Sequence, residues 1–363
     1  MNRPIPGVRK IAVLRANMLG DMMMVMPALE SLRSAYPAAE IVLLGRHWHA
    51  EFFDGRPGPV DRVEIVPFVN GIYEREDGCV DDSLTVEAFF RRMRSERFDV
   101  ALQLHGGGRY SNPFLLRLGA RITAGLKTPE SKRLDRWIPY IYYHSEILRF
   151  LEAVKLIGVS PVTVEPRIEV TDADRIAARS FLYDSRQPLV VIHPGASDPR
   201  RRWPLEKFAL VADDLAANGA QVIITGSISE RNLTAAVHGA MRHESLDAGG
   251  MFSLNGLAAV LSFSNLVVAN DTGPLHLARA VGAPTVGIYW IGNLINAGPA
   301  SAARHRVHMS WRTHCPECGV SCVDGECSHN DSFVADVAAA AVISSARDLL
   351  SLTFRDSPMV SAQ

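Results

Sequence analysis

The feature of this sequence that most constrains its fold is an alternation of short apolar runs with amphipathic stretches. Such an alternation is typical of α/β domains, in which helices cover a parallel sheet. In the first half it predicts strands at 10–14, 40–44, 60–66 and 99–104, and helices from a turn at Gly20 to Tyr36 and near 83–95, 112–118 and 144–157. A Pro-containing segment at about 158–166 interrupts the pattern, and we expect a domain boundary there.

The second half of the chain restarts the alternation. Thr171 and Asp172 predict the start of a helix that runs to Tyr183, and strands are predicted at 188–192, 221–225, 265–269 and 284–288. After Gly298 the pattern breaks into a stretch rich in Arg, His and Cys, and an Ala-rich terminal helix over 333–352 follows, with Ser332 as its cap. Because 363 residues suit two cores, we expect two α/β domains, 1–165 and 166–363.

Composition narrows the classes of function. Lys and Arg together number 38 and Asp and Glu 39, so no overall basic charge indicates a nucleic-acid partner. Neither the N-terminal segment nor the apolar run at 22–26 has the length of a membrane span or the order of a signal peptide. Cys79 stands alone, whereas four cysteines crowd into 315–327. In a cytoplasmic protein, such crowding indicates a metal site before it indicates disulfides.

The loop after the first predicted strand, residues 15–21, holds one candidate site. It contains a single glycine, Gly20, whereas a dinucleotide-binding fingerprint needs three, so nicotinamide chemistry is not expected. Asp21 has two interpretations. Its carboxylate either caps the helix that follows, or it is a functional group at the end of a strand, where α/β sheets place their ligands.

The predicted strand at 188–192 runs into a second candidate site. His193 and Gly195 form a turn whose amides can bind an anion, and three consecutive arginines follow at 200–202. Guanidinium groups beside such a turn suit a diphosphate, because each can bind its oxygens in a fork. The alternative interpretation is a solvated basic loop.

The densest motif is Asn-Asp-Thr-Gly-Pro-Leu-His-Leu-Ala at 270–278, directly after a predicted strand. A helix that opens at Pro274 would place Thr272 and Gly273 at its N-terminus, which is a natural phosphate site. Taken singly, Asp271 could be a helix cap and His276 a half-buried helix residue. Together these interpretations do not explain so polar a cluster at the end of a strand.

The cysteine group suggests a metal site away from these loops. Four thiols within so short a span can form a tetrahedral structural zinc site, and two histidines, His314 and His329, flank them. The spacing is not that of a standard zinc ribbon, so reduced or partly disulfide-linked thiols are the alternative. The predicted ligands are Cys315, Cys318, Cys322 and Cys327.

In their order along the chain, these loops resemble glycosyltransferase family nine, which includes the ADP-heptose:lipopolysaccharide heptosyltransferases. The resemblance covers about residues 9–350 and is carried by Gly20 and Asp21, His-Pro-Gly at 193–195, Arg-Arg-Trp-Pro at 201–204 and Asn-Asp-Thr-Gly-Pro-x-His at 270–276. It implies a GT-B fold, in which two Rossmann-like domains face each other. The N-terminal domain would bind the acceptor and the C-terminal domain the nucleotide-sugar.

The resemblance also implies roles for single residues. Asp21 matches the general base, Arg201 stands where the family commonly has a phosphate-binding Lys, and Glu230 resembles an acidic residue that bonds the nucleotide ribose. A Glu on a helix surface is the alternative for Glu230. The implied donor-binding residues are His193, Gly195, Arg201, Glu230, Asp271, Thr272, Gly273 and His276.

Two departures from the family pattern bear on the donor. Arg in place of Lys at 201 keeps the charge and changes its geometry. After the predicted strand at 285–288 the family often has Phe-Gly-Pro, whereas this chain has Tyr-Trp-Ile-Gly at 289–292.

On the acceptor side, the candidate is the segment 105–112. Its glycines permit close approach of a ligand, and Arg109 could hold an acidic group; Asn112 completes the predicted acceptor set. The alternative is an ordinary loop that leads into a helix capped by Asn112.

Two pairs of carboxylates, at 81–82 and at 172 and 174, lie at predicted helix starts, where acidic groups match the helix dipole. We assign both pairs to capping rather than to a catalytic metal. The charge on a departing diphosphate is then left to arginines, amides and helix dipoles.

The motifs and the resemblance together predict an inverting, metal-independent glycosyltransferase. The resemblance implies ADP-heptose as the donor, and as the acceptor a saccharide, or lipid-linked saccharide, of lipopolysaccharide or a related glycan. We expect a cytoplasmic protein with peripheral contact at the inner membrane. Two alternatives remain open, a nucleotide-sugar epimerase of GT-B fold and a non-catalytic protein that binds a nucleotide-sugar.

Overall fold

Each half of the chain folds around a parallel sheet of its own. The computed structural model describes residues 3–73, 80–181, 187–323 and 327–355, so Cys79 and Tyr183 lie outside the described residues. The chain divides into two units, Met1–Glu169 and Val170–Gln363. The division falls just after the Pro-containing segment at 158–166.

The first unit begins with a short apolar strand that is buried on both faces. In this strand, β1, residues 11–14 are completely inaccessible to solvent, as expected for the centre of a parallel sheet covered by helices. The elements of the first unit are β1 Lys10–Leu14, α1 Leu19–Ala35, β2 Glu40–Gly45, α2 His47–Phe53, β3 Arg62–Ile65, α3 Ser83–Ser95, β4 Val100–Gln103, α4 Ser111–Leu116, β5 Ile122–Lys127, β6 Arg136–Pro139 and α5 Glu146–Lys155.

The second unit repeats this plan with a longer final helix. Its elements are α6 Asp172–Ala178, β7 Leu189–His193, α7 Leu205–Ala217, β8 Gln221–Gly226, α8 Arg231–Ala240, β9 Leu246–Gly249, α9 Leu254–Phe263, β10 Leu266–Asn270, α10 Gly273–Ala280, β11 Thr285–Trp290, α11 Ile291–Ala297, β12 His305–Ser310 and α12 Ala339–Arg355. Short 3₁₀ turns at Arg179–Phe181, Pro199–Arg201 and Ile228–Glu230 connect some of them. Helix α12 packs on α7 and on strands β10, β11 and β12, where Val342, Ala346 and Leu349 are buried.

The strand order of both sheets reverses direction at one point. It is β3-β2-β1-β4-β5-β6 in the first unit and β12-β11-β10-β7-β8-β9 in the second, and all pairings between these strands are parallel. This is the order of a Rossmann sheet, which binds ligands beyond the carboxyl ends of its strands where the order reverses. Those points lie between β1 and β4 and between β7 and β10.

The stretch after Gly298 is more regular than its sequence indicates. Residues His305–Ser310 form β12, which pairs in parallel with β11 at the edge of the sheet. An edge strand is half exposed, so its polar residues form no continuous apolar run that could reveal it. The predicted break in the pattern was therefore wrong at this strand.

The terminal helix begins later than predicted, at Ala339 rather than at Phe333. The Lys207 ammonium donates to the carbonyls of Ala335 and Val337, and the Trp203 indole also donates to Val337. A helix that began at Phe333 would use those carbonyls internally. Ser332 is accordingly not a helix cap, and its hydroxyl donates to the Arg202 carbonyl.

Across the described residues, no helix combines the length and apolarity that a bilayer crossing requires.

Candidate active site

In the second unit, one buried amide side chain joins the loops that follow β7 and β10. Asn270, the last residue of β10, is completely buried. Its Oδ1 accepts from the Trp203 amide at 3.0 Å, and its Nδ2 donates to the Pro194 carbonyl at 2.8 Å. The predicted turn at 193–197, the arginine segment and the 270–276 motif therefore lie together.

Asp271 is the buried anion of this site. Its Oδ1 lies 3.0 Å from His276 Nε2, its Oδ2 accepts from Asn293 Nδ2 at 2.8 Å, and Arg201 Nη1 lies 3.4 Å from Oδ2. Burial opposes ionisation, but these hydrogen bonds and the neighbouring positive charge together hold the pKa of the Asp271 carboxyl below its usual value. Asp271 is not a helix cap, because the N-cap of α10 is Thr272.

The partners of His276 determine how its ring is protonated. Arg279 Nη1 lies 3.3 Å from His276 Nδ1 and donates to the Ala297 carbonyl at 2.8 Å. A guanidinium can only donate, so Nδ1 is the acceptor. The ring proton is therefore assigned to Nε2, which donates a hydrogen bond to Asp271 Oδ1. The ring thereby links two buried charges, Arg279 and Asp271.

Of the three consecutive arginines, Arg201 points its guanidinium at this cluster. Its Nη1 also donates to the Asp271 carbonyl at 3.3 Å, and its Nη2 donates to Ser197 Oγ at 2.8 Å. Arg200 instead pairs with Asp198, and Arg202 Nε donates to the Ala196 carbonyl. Two arginines therefore stabilise the turn, and one is presented at the predicted phosphate site.

Glu230 closes a capping box in the short 3₁₀ turn before α8, and its carboxylate also lies against the turn that follows β7. Its Oε2 accepts from the amide and the hydroxyl of Ser227 at 2.8 and 2.9 Å, and it lies 4.0 Å from His193 Nε2. Burial lowers the pKa of His193 despite this nearby carboxylate, so the ring is neutral at pH 7. A Cβ at Gly195 would collide with Glu230 Oε1, so any side chain there would displace the carboxylate.

Sequence reasoning missed Asn293 and Arg279. Arg279 follows His276 by three residues on α10, so helical spacing places the two side chains on one face. That spacing was a usable signal. Asn293 lies on α11, directly after the segment where the chain departs from the family pattern, and no local signal marks it.

In the first unit, Asp21 lies at the reversal point between β1 and β4. It is the third residue of α1, whose N-cap is Met18, and its carboxylate closes a capping box on the Met18 amide, so Asp21 caps the helix from this third position rather than as the N-cap residue. Its Oδ2 accepts from the Met18 amide at 3.2 Å, and its Oδ1 accepts from Arg15 Nη2 at 3.1 Å. The side chain keeps 41% of its surface exposed, so the carboxylate is both held and accessible.

Arg15 fixes that carboxylate to the sheet. Its Nη1 donates to the Leu104 carbonyl at 2.8 Å, and its Nη2 also lies 3.3 Å from Glu146 Oε2. Burial lowers the pKa of Arg15, an effect that the Asp21 charge counters. An arginine nevertheless stays protonated at neutral pH. Asp21 therefore faces a permanent positive charge whose position is set by β4 and α5.

In the same unit, the loop after β4 lines a cavity of about 210 Å³, with Arg109 and Glu130 on its rim. The Gln103 amide shapes the loop by donating to the carbonyls of His105 and Gly106. His105, also in the lining, is neutral because burial and nearby arginine charges lower its pKa to about 3. The predicted acceptor segment therefore lines a pocket.

Asn112 supports this pocket from behind. It is completely buried inside α4, whose N-cap is Tyr110, so the alternative interpretation as a helix cap was wrong. Its Nδ2 donates to the carbonyls of Leu126 and Lys132 and lies where a Cβ at Gly108 would be. The side chain can act on an acceptor only through the loop it holds.

In each acidic pair one residue caps a helix, as predicted, whereas Asp81 binds a loop amide and Asp172 pairs with Arg175. Asp82 is the N-cap of α3 and accepts from the Thr85 amide, and the Asp81 carboxylate accepts from the Phe68 amide. Asp174 accepts from the Thr171 amide in a capping box at the start of α6.

The cysteine segment forms a cluster whose membership differs from the prediction. Ligand atoms of Cys315, Cys318, Cys327 and His329 all lie within 4.8 Å of one another. Four ligands arranged tetrahedrally at about 2.3 Å from an ion would be about 3.8 Å apart, so this set could hold a structural metal ion. Cys322 was wrongly included, and His329 takes its place. All four cysteines of the segment are free thiols.

A sequence comparison decides the family. The sequence profile of glycosyltransferase family 9 (heptosyltransferase) matches residues 86–325. This chain belongs to that family.

Individual relatives point the same way. The lipopolysaccharide core heptosyltransferase OpsX of Haemophilus influenzae is 23% identical over 80% of this chain and 82% of its own length. Lipopolysaccharide heptosyltransferase 2 of Salmonella typhimurium is 24% identical over 77% of this chain and 82% of its own.

Solved structures share the fold. A family 9 glycosyltransferase from Veillonella parvula superposes with a TM-score of 0.76 at 23% identity, covering 95% of this chain and 97% of its own. The E. coli ADP-heptose lipopolysaccharide heptosyltransferase II superposes with a TM-score of 0.71 at 19% identity, covering 95% of this chain and 99% of its own. The predicted family, GT-B fold and glycosyltransferase class are confirmed, whereas the roles of single residues in this family 9 enzyme stay predictions.

Gly195 provides a test of the donor site. We expect Gly195→Ala to fold, because the colliding carboxylate end of Glu230 can move, and to bind ADP roughly tenfold more weakly, because that carboxylate is displaced. Isothermal titration with ADP measures the change.

The matched control is Gly239→Ala. Gly239 lies on the exposed side of α8, and a Cβ there meets nothing within 4 Å, so ADP affinity should not change. Wild-type affinity in the Gly195 variant would remove Glu230 and its turn from the donor site.

Proposed function

We propose that this family 9 enzyme transfers heptose from ADP-heptose to a saccharide acceptor of lipopolysaccharide, with inversion at the anomeric carbon and without a metal ion at the reacting centre. The observation that carries the proposal is the cluster of Arg201, Asp271 and His276 at the reversal point of the second sheet. The lipopolysaccharide heptosyltransferases among its relatives supply the choice of sugar and acceptor.

The donor proposal assigns the diphosphate and the ribose of the nucleotide-sugar to different residues of the second unit. The diphosphate would meet the Arg201 guanidinium and the first amides of α10 at Thr272 and Gly273, where the helix dipole favours an anion. Glu230 would accept hydrogen bonds from the ribose hydroxyls, because its carboxylate lies directly against the Gly195 turn. Asp271 would hold Arg201 in place.

The acceptor proposal places the base in the other unit. Asp21 would take the proton from the acceptor hydroxyl while that oxygen forms a bond to the anomeric carbon. The bond between that carbon and the diphosphate oxygen breaks at the same time, and ADP leaves with the electron pair. Arg15 keeps the carboxylate oriented, since it bonds Oδ1 and leaves the group 41% exposed. Arg109 would hold an acidic group of the acceptor at the rim of the 210 Å³ pocket.

The absence of a catalytic metal is proposed from how the acidic groups are used. The carboxylates at 81, 82 and 174 bind backbone amides, and Asp271 is bound by His276, Asn293 and Arg201. The leaving diphosphate would then be stabilised by the arginine, the helix amides and the dipole, which are fixed before the reaction begins.

We further propose that the protein works in the cytoplasm, in peripheral contact with the inner membrane when its acceptor is lipid-linked. Trp137, Ile141 and Tyr142 are exposed on and beside the edge strand β6, together with Arg133 and Arg136. Exposed aromatic and cationic side chains are the groups that an anionic bilayer surface attracts.

We also propose that the Cys315, Cys318, Cys327 and His329 cluster holds zinc in a structural role. Three sulfur ligands and one imidazole are a common zinc set, and the cluster lies outside the loops assigned to substrates.

Asp21→Asn tests the base directly. Asparagine keeps the oxygen that accepts from the Met18 amide, so we expect the variant to fold and to bind ADP normally. Loss of the base should lower kcat by roughly a hundred- to ten-thousand-fold. Turnover is measured with ADP-heptose and a heptose-deficient lipopolysaccharide core, and near wild-type kcat would mean that the base lies elsewhere.

Arg201→Ala and Asp271→Ala test the donor assignment. Each removes part of a charge-assisted pair, so we expect the Kd for ADP to rise roughly ten- to a hundredfold in both. Arg201→Lys is the matched control, because it keeps a cation that can reach a phosphate and should lose much less. Unchanged ADP affinity in both alanine variants would reject the assignment.

Metal analysis tests the zinc proposal. Protein purified without chelator should contain about one zinc per chain, and its cluster thiols should react slowly with a thiol reagent until the metal is removed. Metal-free protein with every thiol titratable in the native state would dismiss the site, and stoichiometric iron would replace zinc as its occupant.

A further inference from the structure

The cysteine segment runs directly into the residues that hold the arginine turn. Two limbs, residues 312–322 and 327–333, form what we call the strap. Cys315 and Cys318 lie on the first limb, and Cys327 and His329 lie on the second, so the ligand cluster joins one limb to the other.

The base of the strap is fixed to the body of the second unit. The Trp290 indole donates to the Arg312 carbonyl, and Arg312 Nη1 donates to the Ser332 carbonyl at 3.1 Å, which joins the two limbs. Phe333 is buried, and its ring centre lies 5.9 Å from that of Trp290. The strap is therefore closed at its base by hydrogen bonds and at its other end by the ligand cluster.

The second limb donates hydrogen bonds to the backbone on both sides of Arg201. The Phe333 amide donates to the Arg200 carbonyl at 2.7 Å, and the Ser332 hydroxyl donates to the Arg202 carbonyl at 2.6 Å. The Arg200 guanidinium also lies 5.5 Å above the Phe333 ring. These contacts lie on both sides of Arg201, whose guanidinium reaches Asp271.

The turn itself is short and contains few backbone bonds of its own. It is a single 3₁₀ turn, Pro199–Arg201, held by the Asp198 carboxylate and two backbone bonds, and its arginines are partly exposed. A long cationic side chain on so short a turn keeps its position only if the backbone beneath it is constrained. The strap supplies such a constraint from outside the turn, in addition to the bond between the Trp203 amide and Asn270.

We propose that a metal ion bound by Cys315, Cys318, Cys327 and His329 closes the strap and thereby positions Arg201 for the donor diphosphate. The ion is a positioning element, remote from the reacting atoms. Its removal loosens Ser332 and Phe333, and the turn at 199–202 loses two of its backbone contacts. The part of this inference that concerns the donor rests on the proposed assignment of Arg201.

The experiment compares Cys318→Ser and His329→Ala with Cys322→Ser in the full-length protein. Cys322 is a thiol of the same segment outside the cluster, which makes its variant the matched control. Three quantities are measured: metal per chain, hydrogen exchange in a peptide that spans 199–203, where the exchanging amides are those of residues 200–203, and the Kd for ADP. We expect the two ligand variants to lose the metal, to exchange faster at 199–203 and to bind ADP roughly fivefold more weakly, with the control unchanged.

A fourth variant separates the effect of the metal ion from that of the hydrogen bond between Ser332 and Arg202. Ser332→Ala should keep its metal and still exchange faster at 199–203, because it removes the hydrogen bond to Arg202 and no ligand. If a ligand variant fails to fold, chelation of the wild-type protein followed by zinc readdition gives the same comparison.

Wild-type exchange at 199–203 in metal-depleted protein would overturn the strap, as would faster exchange at 199–203 in Cys322→Ser that matches the ligand variants. Failure of the wild-type protein to bind ADP would overturn the donor proposal instead, and the exchange measurement would still decide whether the ion holds the turn.

Discussion

The reversal of strand order in each sheet is the constraint on which the other features of this protein depend. At that point two neighbouring parallel strands send their connections in opposite directions, so a crevice opens beyond their carboxyl ends. In both units one buried polar side chain ties the two strand ends together. Asn270 joins the loops after β7 and β10, and Arg15 joins the start of α1 to the end of β4. Loops on different parts of the sequence are thereby held to a common geometry.

The carboxylates of Asp271 and Asp21 differ in burial and in the number of groups that bond them. Asp271 is almost fully buried, and it is stable there because a histidine, an asparagine and an arginine all bond it. Asp21 keeps much of its surface exposed and is bonded by one arginine and one amide. A buried, fully bonded carboxylate suits the support of a cation, whereas an accessible one suits proton transfer. The difference between the two supports the separate roles we propose for them.

Much of this organisation could be predicted from the sequence. Parallel strands buried on both faces give continuous apolar runs, and such runs predict β1, β7 and β10. The motifs that follow those runs are sufficient to place Asp21, His193, Arg201 and Asp271 near the ends of strands. Thr272 at the helix start follows from Pro274, since proline is tolerated in the first turn.

What could not be predicted depends on contacts between residues far apart in sequence. The terminal helix starts late because Trp203 and Lys207 take carbonyls that a longer helix would need. His329 replaces Cys322 in the ligand cluster because chain geometry, not residue type, decides which groups meet. Asn293 bonds Asp271 from α11, and the spacing of the two residues along the chain does not indicate that contact.

The most direct test of the central claim is the product of a single reaction with ADP-heptose and a heptose-deficient lipopolysaccharide core, analysed by mass spectrometry and NMR. The account predicts one ADP released for each heptose added to the core, and a new glycosidic bond of inverted anomeric configuration. Retention of configuration, a rearranged nucleotide-sugar without glycosylated acceptor, or a donor that is bound and left intact would each contradict it.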